Sequence, residues 1–292
     1  MPQPDPPPTS AMTPLRWGQR QRLAFIEARL FWDGALQRAD ILAKFDVSMV
    51  QVSADLALYR KLAPGNLAYD PRRKHFVAAK AFQAIFIVPS PQVWLSEALA
   101  AADVAQDHPD FLPLASLPVP DRQIGLAPFR ALVAATRAQQ SLEILYHSMN
   151  PHRAGPIWRR ITPHAFATDG LRWHVRAFCG IDRNFKDFLF SRIEQARDVA
   201  APDAKPSDDT AWNSLFNVEL VPNPGLTVSQ RGMIERDYAM HDGQRSIQVR
   251  RALLYYFEKR LRLDLPPEPV AECPVIVANR QAFNAARDGT SL

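Results

Sequence analysis

The residues best placed for chemistry lie in one short segment, where Arg172, His174 and Arg176 recur at every second position between Gly170 and Cys179. A period of two is the pleat of a strand. The three cation-capable groups and Phe178 therefore share one face, while Trp173, Val175, Ala177 and Cys179 share the other and face a core. Positive groups in a row repel one another, so a receptor for an anion explains them better than a merely solvated face. Arginine offers forked hydrogen bonds to phosphate, and Tyr or Trp offers a stacking surface to a base.

The flanking segments follow the same plan. Leu142, Ile144, Tyr146 and Ser148 alternate before this strand, the run from Trp158 to Phe166 carries Arg159, Arg160 and His164, and the run from Phe185 to Ile193 delivers Arg192. Asn150-Pro151, Thr168-Asp169-Gly170 and Asp182-Arg183-Asn184 supply the turns. The expected unit is a small, bent antiparallel sheet with a cationic concavity. Its candidate ligand-binding residues are Tyr146, Ser148, Arg159, Arg160, His164, Arg172, Trp173, His174, Arg176, Phe178 and Arg192, and the pattern does not decide which of Arg159 and Arg160 faces the ligand.

The ordered segments ILYHS (144–148), RRITPHAF (159–166), DGLRWHVRAFC (169–179) and FKDFLFSRI (185–193) resemble the WYL domain. That domain is a small Sm-like barrel whose name pattern, Trp-Tyr-Leu, here reads Trp173-His174-Val175. The His in place of Tyr departs from the name pattern and is similar to the variant in repressors encoded beside bacterial anti-phage defence systems. The likeness spans most of the chain, is strongest over 140–195 and is weakest at the C-terminus. It implies a winged-helix regulator with a C-terminal extension that helps hold a dimer, controlling a defence operon.

The N-terminal part reads as a duplex-binding module in its own right. Leu23, Ile26, Leu30 and Phe31 fall on one side of a helix that starts near Trp17 and stops at Gly34. A short helix over 37–45 follows, then a tight turn at Asp46-Val47, then a helix from Met49 to about Leu62 that opens with a Ser48/Gln51 capping box and buries Val52, Leu56 and Tyr59. Two short helices across so brief a turn have helix-turn-helix geometry. The outward arc of the second carries Val50, Gln51, Ser53, Ala54, Ala57 and Lys61, with Gln51 and Ser53 as base readers and Arg60 and Lys61 as phosphate contacts. Leu67 to Val77 reads as a hairpin turning at Asp70-Pro71, a wing whose tip is Arg72, Arg73 and Lys74. Ser48, Met49 and Ala54 complete the DNA-binding candidates.

The expected organisation is multidomain α+β. It comprises a Pro-rich disordered leader (1–12), a winged helix-turn-helix domain (13–80), a helical linker (81–124), the sheet domain (125–200) and a small α+β C-terminal domain (205–292). In the last, Val218 to Pro222 reads as a strand, Thr227 to Asp237 as a helix capped by Thr227, and Ile247 to Leu261 as a longer helix.

The chain has 292 residues, enough for two or three cores, and a net charge of +5 suits anionic partners. Two cysteines give no disulfide framework, so a cytoplasmic protein is expected, and no apolar run reaches the length of a membrane span. His147, His164 and His174 match no zinc spacing and have no carboxylate alternating with them, Asp187 being expected beside Arg192. With no phosphate-cradling Gly-rich loop and no Gly-flanked nucleophilic serine either, the reading is of a non-enzyme without cofactor. It is a homodimeric repressor of an inverted-repeat operator, responsive to a nucleotide, a cyclic oligonucleotide or single-stranded nucleic acid. The alternative is an RNA-binding protein that uses the sheet as its platform. Selection of bound sequences separates the two, a palindromic duplex against an unpaired RNA motif.

Overall fold

A computed structural model describes residues 15–102, 114–120, 122–149, 151, 155–266 and 272–289. The leader expected over 1–12 and part of the linker, 103–113, lie outside the described residues. The chain divides into two compact units, Met1–Leu117 and Pro118–Leu292.

The first unit orders its elements as α1 (Trp17–Asp33), β1 (Ala35–Leu36), α2 (Arg38–Phe45), α3 (Met49–Leu62), β2 (Leu67–Asp70), β3 (His75–Ala78) and α4 (Pro91–Ala102). Helix α1 buries Leu23, Ile26 and Leu30 at helical spacing and stops at Gly34, whose φ of 71° suits a residue without a side chain. The α2–α3 turn passes through Asp46 at φ 48°, a left-handed position that a short polar side chain tolerates. The wing hairpin β2–β3 acquires a third strand that the sequence reading lacked, because β1 pairs with β3. One buried carboxylate closes this core: Glu27 accepts from the Tyr59 hydroxyl (3.1 Å) and from the backbone N–H groups of Ile85 (2.9 Å), Phe86 (2.6 Å) and Ile87 (2.9 Å). Burial, foremost, raises the Tyr59 pKa, and the phenol stays a donor.

The second unit contains α5 (Leu126–Ala138), β4 (Ser141–Tyr146), β5 (Ile157–Thr168), β6 (Trp173–Cys179), β7 (Asn184–Leu189) and β8 (Ile193–Ala200). After these come α6 (Thr210–Asn213), β9 (Leu215–Pro222), α7 (Val228–Asp237), β10 (Arg245–Arg250), α8 (Leu254–Arg260), β11 (Val275–Val277) and α9 (Arg280–Asp288). The central sheet has five strands in the order β7-β6-β5-β4-β8. Among the described residues its edge strands β7 and β8 do not pair with each other, so the sheet is bent but open and the closed Sm-like barrel is not found. It bends at irregularities, one of them in β5 where Pro163, which has no N–H for the ladder, precedes a slip to Ala165. The inner face buries Leu142, Ile144, Ile161, Val175, Ala177 and Cys179, and α5 lays Leu132 and Ala135 against them.

The C-terminal part is a three-stranded sheet, β10-β9-β11, packed with Leu254 of α8 and Phe283 of α9. Here the sequence reading needs correction. Residues 245–250 are a strand, not the start of a long helix, and the helix proper is only Leu254–Arg260. Ile247 sits opposite Val218 and Val249 opposite Phe216, so pairing with β9 overrides any local helical preference. Thr227 does cap α7, in a reciprocal pair with Gln230. Among the described residues no helix is long and apolar enough to cross a membrane.

Candidate nucleic-acid interface and ligand site

Helix α3 turns Val52, Asp55, Leu56 and Tyr59 inward and leaves Met49, Val50, Ser53, Ala54, Ala57, Arg60 and Lys61 exposed. Ser48 caps it by accepting from the Gln51 amide at 3.2 Å. The second half of the expected capping box is absent, because the Gln51 side chain instead donates to Asp55 (3.0 Å), which also holds Arg22 at 2.6 Å. Val50, 80% exposed against 51% for Met49, is thus the more exposed of the two large apolar side chains on the arc, and Gln51 is held by an internal partner. At the wing, the Asp70 carboxylate accepts from the amides of Arg72 (2.9 Å) and Arg73 (3.2 Å), and Lys74 turns the corner at φ 56°. Among the described residues Arg60, Lys61, Arg72, Arg73 and Lys74 have no ion-pair partner, and all five are exposed. A small-residue arc ending in free cations, beside a basic hairpin tip, has the chemistry of a groove reader flanked by phosphate contacts.

The sheet presents a different picture. Arg172, His174, Arg176 and Phe178 do lie on the face opposite Val175, Ala177 and Cys179, but that face is covered and its charges are neutralised internally. Arg176, 8% exposed, forks onto Asp209 (Nε 2.7 Å, Nη2 3.0 Å) and reaches Asp187 at 3.3 Å. Asp209 also pairs with His164 (2.9 Å) and caps α6 by accepting from the Trp212 amide at 3.1 Å. Tyr256 of α8 donates to Asp187 (3.0 Å), and its ring lies 4.8 Å from that of His174. Arg172 is held by Asp169 at 2.7 Å, and Arg160 by the Asp198 carbonyl (2.9 Å), Ser141 (3.3 Å) and Glu143 (3.6 Å). Asp187 therefore belongs with Arg176, not with Arg192, because the β6–β7 register sets Arg176 opposite Asp187. Carboxylates do share the histidine face, contrary to the sequence reading.

Several other candidates also move. Arg159 points to the inner face, 4% exposed, over the rings of Tyr146 and Phe188. One nitrogen bonds Asp182 at 3.2 Å, while Nε and Nη2 have no partner among the described residues. Tyr146 is itself a core residue, its hydroxyl accepting from the Leu189 amide at 3.4 Å. Trp173, expected in the core, is 54% exposed, because the strand begins there and none of the described residues covers its first inward position. Phe178 packs on Phe185 and under Arg183, and Arg192 is half-buried with no ion-pair partner among the described residues. Ser148 lies outside β4, two residues past its last strand residue, Tyr146.

Three family models match in succession: the BrxR transcriptional regulator winged helix-turn-helix domain over 18–99, the WYL domain over 128–198 and the BrxR C-terminal dimerization domain over 215–283. The chain is 37% identical over 253 residues to the DNA-binding transcriptional repressor CapW of Escherichia coli (strain KTE188), covering 85% of this chain and 84% of that one. It is 36% identical over 266 residues to CapW of Pseudomonas aeruginosa, with 89% and 88% covered, and 38% identical over 299 residues to CapW of Stenotrophomonas maltophilia, with 96% and 97% covered. The chain belongs to the CapW family of WYL-domain repressors.

In this CapW-family chain, Asp209 and Tyr256 are the residues that sequence reasoning missed. Asp209 carried a signal, since an Asp before Thr210 reads as a helix cap, but nothing local placed it on β6. Although burial pushes its carboxyl up, the hydrogen bonds from His164 and Arg176 outweigh that and hold it well below the usual range. Burial lowers the pKa of His174 more than nearby Asp187 and Asp169 raise it, and burial raises that of Tyr256. At neutral pH this seam therefore joins a neutral imidazole to a protonated phenol.

The sign for His174 follows from linkage. Its unfolded-state value is near 6.5 and its folded value is lower, so its contribution is complete above about pH 6.5 and is lost as pH falls toward the folded value. The melting temperature of the intact protein is expected to be level above pH 7 and to decline below about 6.5. His174→Gln should flatten that decline; an undiminished slope would place the acid sensitivity at another group.

Proposed function

We propose that this chain is a homodimeric repressor that reads an inverted-repeat operator with α3 in the major groove and the β2–β3 wing on the flanking backbone. It acts on bacterial DNA in the cytoplasm. The observation that carries the reading is the first unit's combination of a capped α3 with five exposed cations at its end and at the wing tip, none with an ion-pair partner among the described residues. The names of its relatives, DNA-binding repressors, and the match of 215–283 to a dimerization domain support it. Two α3 helices related by a two-fold would meet half-sites about one DNA turn apart.

By the same reading, the second unit releases the operator when a nucleotide, cyclic oligonucleotide or single-stranded nucleic acid occupies it, drawing on its cations, among them Arg192, which has no acid partner among the described residues. The ligand would act by favouring one dimer geometry over another. The operon so controlled is an anti-phage defence system.

Mobility-shift titration on the chain's own upstream DNA tests the first half. Wild-type protein should prefer that DNA to a scrambled duplex, and Val50→Ala with Ser53→Ala should weaken the preferred site by about 1–3 kcal/mol per lost base contact while leaving scrambled DNA nearly unchanged. Gln51→Ala should do less, since Asp55 already holds that side chain. An unchanged footprint in the Val50/Ser53 variant would remove α3 from the groove.

A further inference from the structure

The C-terminal part brings cations of its own to the seam with the central sheet. A cleft of about 280 Å³ lies there, lined by Arg176 from β6, Thr210 and Ala211 from α6, Arg251 and Tyr255 around the start of α8, and Arg287 from α9. Among the described residues no carboxylate lines it. The acids that hold Arg176 are Asp209 and Asp187, and those that hold Arg287 are Glu258 and Asp288. Among the described residues Arg251 has no acid partner: its Nε donates to the Ala286 carbonyl at 3.4 Å, and neither terminal nitrogen has a partner there. Tyr255 is 52% exposed, its ring 5.5 Å from that of Tyr256 and 5.7 Å from the Lys259 ammonium.

We propose that this cleft is a nucleotide site, with the phosphate between Arg251 and Arg287 and the base against Tyr255. Of the three guanidinium groups, Arg176 and Arg287 are already paired with acids, so the uncompensated charge is that of Arg251, and a phosphate dianion there accepts its forked, charge-assisted hydrogen bonds while Arg287 lies across the cleft. The volume, about 280 Å³, lies just below the usual range for ligand pockets and suits a single nucleotide rather than a chain of them. The inference rests on the reading of the second unit as an anion sensor, and moves the ligand from the covered sheet face to the seam. An occupant would touch β6, α8 and α9 at once and compete with Asp209 for Arg176. It would thereby couple phosphate binding to the seating of the segment that matches a dimerization domain.

The test is calorimetric titration of the full-length protein with 5′-AMP, adenosine, inorganic phosphate and a 5′-phosphorylated trinucleotide. AMP should bind saturably, with adenosine at least tenfold weaker and the trinucleotide no tighter. Arg251→Ala and Arg287→Ala should each weaken AMP at least tenfold, Arg251→Lys should restore part of the loss, and Arg236→Ala on α7 should change nothing. Melting curves confirm that each variant is folded. Absence of AMP binding at millimolar concentration, or a trinucleotide tenfold tighter than AMP, overturns the one-nucleotide cleft. Phosphate binding that depends on Arg160 or Arg172 but not on Arg251 or Arg287 removes the cleft and keeps the sensor. AMP bound through Arg251 with no change in operator affinity keeps the cleft and removes the sensor.

Discussion

Asp209→Ala is expected to destabilise the second unit by about 3–5 kcal/mol, because it leaves a buried guanidinium with only the longer Asp187 contact and a buried imidazole without its carboxylate. Asp209 is 1% exposed and takes two hydrogen bonds from Arg176 and one from His164. The alanine also removes the α6 cap, in itself about 1 kcal/mol. Asp209→Asn keeps the shape and an acceptor but not the charge, so its effect should be smaller and should fall mainly on Arg176. The informative companion is Asp209→Leu with Arg176→Met. Exchanging a buried ion pair for apolar groups of similar volume is often neutral, so the double variant should recover most of what either single change loses. Acid should mimic the alanine: with a depressed folded value, the Asp209 contribution is complete above about pH 4 and lost as pH falls through the folded value. Urea unfolding of the full chain, followed at Trp212, reads all of this. A change within about 0.5 kcal/mol for Asp209→Ala would mean that the seam opens to water and that Arg176 is solvated.

Why that acid escaped the sequence reading is a matter of range. Alternation over 172–178 fixes which side chains share a face, since the pleat is a local property of the backbone. What covers the face arrives from far along the chain: Asp209 lies 33 residues from Arg176, and Tyr256 lies 69 residues from Asp187. A row of cations reads the same whether its anion is a ligand or the protein's own carboxylate. The Arg176–Asp187 pair, by contrast, was within reach. A hairpin that sets Cys179 opposite Asn184 must set Arg176 opposite Asp187, so counting back from the turn at 180–183 finds the partner.

The first unit was legible almost throughout, because its cues are local. Helix spacing, the left-handed turn at Asp46, the Ser48 cap and the Asp70 turn each act within a few residues. Its misreading, the Gln51 side chain, concerns a choice between accepting from the Ser48 backbone N–H behind it and donating to the Asp55 carboxylate one turn ahead, which sequence spacing does not rank. The error over 247–261 has the opposite origin. Arg245 to Arg250 is too short and too polar to declare itself, and it becomes a strand because β9 lies alongside it.

The wing carries the second large effect. With Arg72, Arg73 and Lys74 all changed to Ala, operator affinity near 0.1 M salt is expected to fall at least a hundredfold. Each cation that neutralises a phosphate contributes about 0.9 to the slope of log affinity against log salt concentration. Three such contacts per protomer, doubled in the proposed dimer, should therefore lower that slope by about 5 if every side chain meets a phosphate. Scrambled DNA should suffer nearly the same loss, because phosphates carry no sequence. That equality separates the wing from Val50 and Ser53, whose replacement should spare scrambled DNA. Stability should hardly move, since these side chains are exposed and without ion-pair partners among the described residues, and the turn itself is held by Asp70. Titrations of both duplexes at four salt concentrations supply slopes and affinities together. An affinity within threefold of wild type with an unaltered slope would take the wing off the duplex, and leave Arg60 and Lys61 at the end of α3 as the module's backbone contacts.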